Sequence, residues 1–211
     1  YEFTYKLENG ALYMDFIDPH DIYDKVIVID AGHGSRMSGA TKNGIQEKDI
    51  NLDIVLQLKA LFDAYDGNIG VYYTRTDDSN PTLQQRAELA NKAGADLFIS
   101  VHNNSSGTGN FTSVNGTQVL YSESDDRELG SKKLAQICLD NVTAATGSND
   151  FGLLKADDIY IVRSSEAPVA LIEVGFMTNR DELAKLADPE YQKTAAQGIF
   201  NAVLEAVKEG Y

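Results

Sequence analysis

Cysteine is almost missing from this chain of 211 residues: the single thiol, Cys138, cannot close an internal disulfide. It lies in the apolar helical stretch Leu134-Ala135-Gln136-Ile137-Cys138-Leu139 and reads as a buried structural thiol. No run approaches the ~20 consecutive apolar residues that a membrane-spanning helix needs. Basic residues are scarce, 18 against 32 acidic ones, for a formal net charge of −14. Such a chain is repelled by nucleic acid and by anionic membranes, so neither is expected as a partner. There is no Gly-x-Ser-x-Gly elbow, no His-Glu-x-x-His pair and no Gly-x-x-x-x-Gly-Lys loop, which removes the usual serine-hydrolase, metalloprotease and nucleotide-hydrolase schemes. No secretory leader is visible and the chain opens on Tyr1, as expected of a mature or trimmed fragment.

What remains is a chain with 43% apolar residues, enough for a full core. Short β-branched runs recur: Lys25–Asp30, Asn68–Thr74, Asp96–His102, Gly116–Ser122, Asp158–Arg163 and Pro168–Phe176. Between them fall helical stripes, Ile50/Ile54/Leu58/Leu61 and Leu83/Ala87/Ala90, and two further helical stretches over 131–146 and 190–209. Strands alternating with helices predict an α/β fold, a single domain with a mostly parallel, mixed sheet flanked by helices on both faces. Residues 1–24 differ. Phe3, Tyr5 and Leu7 alternate with polar residues, Asn9-Gly10 is a hairpin turn, and Leu12, Met14 and Phe16 fit a return strand. The reading is an N-terminal extension over 1–24, either an edge addition or part of another module, and a catalytic domain over 25–211. Residues 103–116 form a polar, glycine-containing loop after a buried strand, a common place for function.

With only three histidines, each can be weighed. His33 and His102 each stand at the carboxyl end of a predicted strand, where open α/β sheets bind their ligands. Each is either a polar strand terminus or a metal ligand. His20, in Asp18-Pro19-His20-Asp21, reads as a surface residue. Glu47 opens a helix and shares its inward face with Ile50, Ile54 and Leu58, where a carboxylate needs a partner or simply favours the helix dipole. Two imidazoles and a carboxylate would suit a catalytic zinc with one open position. Glu173 interrupts the buried run Val169–Phe176, so it is either a general base with a raised pKa or half of an ion pair with Arg75 or Arg163. Asp30 could orient His33 or cap its strand.

These residues occur in an ordered series of motifs. Val28-Ile29-Asp30-Ala31-Gly32-His33-Gly34 is followed by Gly39-Ala40, Gly44 and Glu47. Thr74-Arg75, Asp77, Leu83 and Arg86 come next, and then Ala90-Asn91, Ala95-Asp96 and Ser100-Val101-His102-Asn103-Asn104. Pro168 through Glu173-Val174-Gly175-Phe176-Met177-Thr178-Asn179 closes it. Over about residues 25–208 the series resembles the amidase-3 family of zinc N-acetylmuramoyl-L-alanine amidases. The resemblance implies a six-stranded sheet, Zn2+ held by His33, Glu47 and His102, and Glu173 as the catalytic glutamate. It implies cleavage of peptidoglycan between N-acetylmuramic acid and L-alanine, by a secreted or wall-located bacterial protein. Asn104 is the expected substrate or site-shaping contact. Asn103 departs from the family, where alanine is common, and Phe151-Gly152 lacks the arginine that many relatives place before the glycine. A monomer is expected, with a separate wall-binding module for an acidic domain. The alternatives are a zinc peptidoglycan carboxypeptidase or peptidase, and a wall-binding module without catalysis.

Overall fold

A computed structural model describes residues 2–107 and 110–211; Tyr1 and two residues of the expected 103–116 loop, Thr108 and Gly109, lie outside the described residues. In chain order the elements are β1 (Glu2–Glu8), β2 (Ala11–Ile17), a short 3-10 turn (Pro19–Asp21), β3 (Lys25–Ala31), β4 (Thr41–Lys42), β5 (Ile45–Gln46) and α1 (Glu47–Asp63). There follow β6 (Ile69–Tyr73), α2 (Leu83–Ala93), β7 (Leu97–Asn104), β8 (Thr117–Tyr121), α3 (Ser131–Thr146) and β9 (Asp150–Lys155). The chain finishes with α4 (Tyr160–Arg163), β10 (Val169–Phe176), α5 (Arg180–Leu186) and α6 (Pro189–Lys208).

Six strands form the main sheet in the order β6-β3-β7-β10-β8-β9. Strands β6, β3, β7 and β10 run parallel, and β8 joins β10 antiparallel, so the sheet is mixed and mostly parallel as expected. The period-2 alternation of each central strand serves two cores. Ile27 and Ile29 of β3, Leu97, Ile99 and Val101 of β7, and Ala170, Ile172 and Val174 of β10 pack under α1, α3 and α6. Val26, Val28, Phe98, Val169 and Leu171 point the other way, toward α2 and α4. Helices therefore cover both faces, which explains why these strands read as continuous apolar runs. Cys138 is buried in the first core, and burial pushes its thiol up to about 12, a structural residue as predicted.

Two sequence expectations fail. The β-branched run Asp158–Arg163 is no strand: Tyr160–Arg163 forms α4, whose Ile161 and Val162 fill the second core. The sixth strand is β9, a half-exposed edge element with Gly152 at φ +94°. Leu83, assigned to the inward stripe of α2, is 54% exposed, while Arg86, Ala87 and Ala90 are buried there.

The N-terminal hairpin forms as read, with Asn9 and Gly10 at positive φ in its turn. It is a sheet of its own, so it is no edge addition to the main sheet. Cross-strand partners Phe3/Phe16, Tyr5/Met14 and Leu7/Leu12 line one of its faces. The Tyr72 hydroxyl donates to Glu2 from the domain body. His20 is exposed, as read, and lies 2.8 Å from the Gly94 carbonyl.

Candidate active site

Three adjacent parallel strands deliver the chemistry to one end of the sheet. His33 lies two residues beyond β3, His102 sits in β7, and Glu173 stands beside it in β10, in register across the ladder. Strand alternation puts Asp30, Ser100, His102 and Glu173 on the same face as Val28, Phe98 and Leu171. Glu47 reaches the same place from the first turn of α1, on the opposite face. The β4–β5 hairpin feeds that helix, and Gln46 caps it with no side-chain bond, leaving the acidic Glu47 and Asp49 to the helix amino terminus.

His33, Glu47 and His102 converge so that one ligand atom of each lies within 4.8 Å of the others. Glu47 Oε1 is 2.9 Å from His102 Nδ1 and 3.1 Å from His33 Nε2, and the two rings meet edge to face with centroids 4.9 Å apart. Burial alone would raise the Glu47 carboxyl, but the two imidazoles more than offset it and hold the group well below the usual carboxylate range. The set is thus a carboxylate and two imidazoles facing a common point.

Two glycines make this approach possible. A Cβ on Gly32 would sit 2.2 Å from the His102 ring. One on Gly39, at φ +64°, would sit 2.3 Å from Glu47 Oε2 and 2.6 Å from the His33 ring. Gly32→Ala is therefore expected to displace the His102 imidazole from Glu47. The ring resonances of His102 in variant and parent check it, and unchanged shifts contradict the packing argument.

Among the described residues Glu173 has no lysine or arginine partner. Arg75 spends its guanidinium on the carbonyls of Ala31, Gly32, Lys48 and Asp77, and Arg163 donates to the Asp158 carbonyl. The ion-pair alternative for Glu173 therefore fails. Its Oε2 is buried without a hydrogen-bond partner, and burial, tempered by His102, pushes the carboxyl up to about 7. Such a group can both accept and return a proton near neutral pH.

Asp30 bonds not to the His33 ring but to groups packed around the end of β3. It is fully buried and accepts from Arg86 Nη1, Thr74 Oγ1 and Ser100 Oγ, each at 2.6 Å. Arg86 in turn donates to the carbonyls of Ala31 and His33, both at 2.7 Å, and of Pro81 at 2.9 Å. Asp30 thus acts on the backbone of the His33 loop through Arg86. Those long-range backbone bonds leave no trace in the sequence. Asn51, four residues after Glu47 on the same helical face, is the partner that spacing alone could have found.

Asn104 donates to Gln118 Oε1 at 3.3 Å, and its own Oδ1 accepts from Ser105 N–H. Gln118 is the register partner of Glu173 on β8. Beyond Asn104, Ser106 and Thr112 bond to Thr178, and the Phe111 ring lies between Lys42 and Arg180. A cavity of about 320 Å³ opens beside His33 and His102, walled by Met37, Pro81, Thr82, Leu83 and Ile161.

Comparison with known proteins fits this geometry. The family model for N-acetylmuramoyl-L-alanine amidase matches residues 27–205. The chain belongs to the N-acetylmuramoyl-L-alanine amidase family. Membership makes it an enzyme, an amidase, and sets aside the reading as a binding module without catalysis. It is 36% identical to the uncharacterized protein YqiI of Bacillus subtilis, covering 86% of this chain and 84% of that one. It is 34% identical to the B. subtilis N-acetylmuramoyl-L-alanine amidase LytC over 87% of this chain, but spans only 36% of LytC. The solved catalytic domain of CwlV, an N-acetylmuramoyl-L-alanine amidase from Bacillus (Paenibacillus) polymyxa var. colistinus, superposes with a TM-score of 0.79 at 34% identity, over 87% of this chain and 98% of that one. The hairpin β1–β2 lies outside the family match. Among the described residues no helix is long and apolar enough to cross a membrane.

Proposed function

We propose that the chain hydrolyses the amide between N-acetylmuramic acid and L-alanine in peptidoglycan, with zinc held by His33, Glu47 and His102 and Glu173 as general base. The observation that carries it is the pairing of a His-Glu-His donor set with a carboxylate one strand away whose Oε2 is buried and unpartnered. Two imidazoles and one carboxylate match the donor types and number of hydrolytic zinc sites, which keep one position open. When bound there, zinc polarises the scissile carbonyl and brings the pKa of water down to about 7.

The chain's own residues do the rest. Glu47, held ionised by the two imidazoles against the effect of its burial, contributes the negative charge that balances the site. Glu173 takes a proton from the attacking water and, as the tetrahedral centre collapses, returns it to the departing L-alanine nitrogen. Its raised pKa suits both halves of that transfer. The cavity beside His33 and His102 gives part of the substrate a place to lie, and Asn104, braced by Gln118, shapes the far side near Glu173. Action on peptidoglycan places the domain outside the cell or at the wall, working as a monomer, with a separate module to hold an acidic domain on its substrate.

The test is digestion of purified peptidoglycan by zinc-loaded protein, with a chelated control, and mass spectrometry of the soluble products. Free stem peptides with L-alanine amino termini, absent after chelation, are the expected result. Shortened stems still attached to muramic acid would make the protein a peptidase instead.

A further inference from the structure

We infer, on the reading of His33, Glu47 and His102 as zinc ligands, that Asn51 and Asn103 are positioning residues that together fix the relative placement of all three. Asn51 is fully buried in α1, one turn beyond Glu47, and Asn103 is buried at the end of β7. The Asn51 amide nitrogen donates to Glu47 Oε1 at 3.3 Å and to the Gly32 carbonyl at 3.1 Å. Its oxygen accepts from the Asn103 side-chain nitrogen at 2.8 Å. One carboxamide thus touches Glu47 itself, the residue before His33 and the residue after His102.

The orientation of this chain is forced. The Gly32 carbonyl and the Glu47 carboxylate are acceptors only, so Asn51 must turn its NH2 toward them and its oxygen toward Asn103. Asn103 must then offer its NH2, which leaves its own Oδ1 buried with no partner. A buried acceptor left unpaired is rare, and an apolar residue would remove it.

The consequence for Glu47 is a choice between its oxygens. Oε2 is tied back by the Ala40 N–H at 2.8 Å and walled by Gly39. Oε1 is steadied by Asn51 Nδ2 and by the Asn103 N–H at 3.2 Å while it faces both imidazoles. The network therefore presents one defined oxygen to the metal.

The test is zinc affinity of the apoprotein, read by competition with a chromophoric chelator, alongside thermal unfolding without zinc. Asn51→Ala is expected to weaken zinc binding about 10–100-fold, the range for groups that orient metal ligands. Asn51→Asp, which can accept from Asn103 but cannot donate to Glu47, is expected to weaken it further. Asn103→Ala should lose affinity in the same direction but less, and it serves as the test if the Asn51 variants do not fold. Folded variants that bind zinc like the parent protein would overturn the inference, even if their unfolding temperatures fall. A parent protein that binds no zinc would sink the ligand reading itself, and this inference with it.

Discussion

Glu173→Gln is expected to lower turnover on peptidoglycan by about 10²–10⁴-fold, the usual contribution of a positioned acid–base group. Zinc content should stay the same, because Glu173 is not in the His33-Glu47-His102 cluster. The amide keeps the shape of the side chain but cannot accept the proton from water. The sign of the stability change makes the prediction sharper. Glu173 is an acid whose Oε2 is buried without a hydrogen-bond partner, and the burial of an unpaired charge is unfavourable. A neutral amide removes that penalty, so the variant should unfold at the same temperature or higher. Lost activity with retained zinc and undiminished stability is the signature of a residue held strained for function. Loss of zinc or of stability in step with activity would place Glu173 in the scaffold instead.

Glu173 was conspicuous in the sequence because a charge in a continuous apolar strand contradicts its surroundings. His33, His102 and Glu47 were legible for similar reasons: two sat at strand ends, and the third shared a helix face with Ile50, Ile54 and Leu58. The six-stranded sheet was legible as far as its fully buried strands. It was misread at its edge, where burial no longer dictates composition. β9, with Gly152 at positive φ and four of its six residues exposed, lacks the apolar signature of a strand. Conversely Asp158–Arg163 carries that signature and forms a helical turn, because what Ile161 and Val162 satisfy is the second core, reachable from either conformation. The roles of Arg75 and Arg86 were illegible for a different reason. Both donate to backbone carbonyls more than forty residues away, Arg75 to Gly32 and Arg86 to His33 among them, and a carbonyl has no side-chain identity to read.

That network carries the largest expected effect on stability. Asp30→Ala should destabilise the fold by about 3–5 kcal/mol, because it strands the Arg86 charge in a buried site. For a domain of this size that is a fall in Tm of roughly 10 °C. Burial pulls the Asp30 carboxyl up, but Arg86, with the hydroxyls of Ser100 and Thr74, holds it below its ordinary value. A lowered folded pKa means that the unfolded chain binds the proton first as pH falls. The Asp30 contribution is therefore whole at neutral pH and lost only below about pH 4, where the unfolded carboxyl titrates. Wild type and Asp30→Ala should accordingly differ by the full amount at pH 7 and converge in acid, as Tm measured across that range will show. An ordinary buried ion pair can be replaced by two apolar residues at little loss. Here the double variant Asp30→Leu/Arg86→Met should recover only part of the stability, and little of the zinc affinity. Arg86 also satisfies the carbonyls of Ala31 and His33, and no apolar side chain can donate to them. Full recovery of both would mean that the pair merely fills space. Stability that returns without zinc binding would separate the core from the loop that Arg86 fastens, and show that the His33 loop is held by the hydrogen bonds Arg86 gives its backbone.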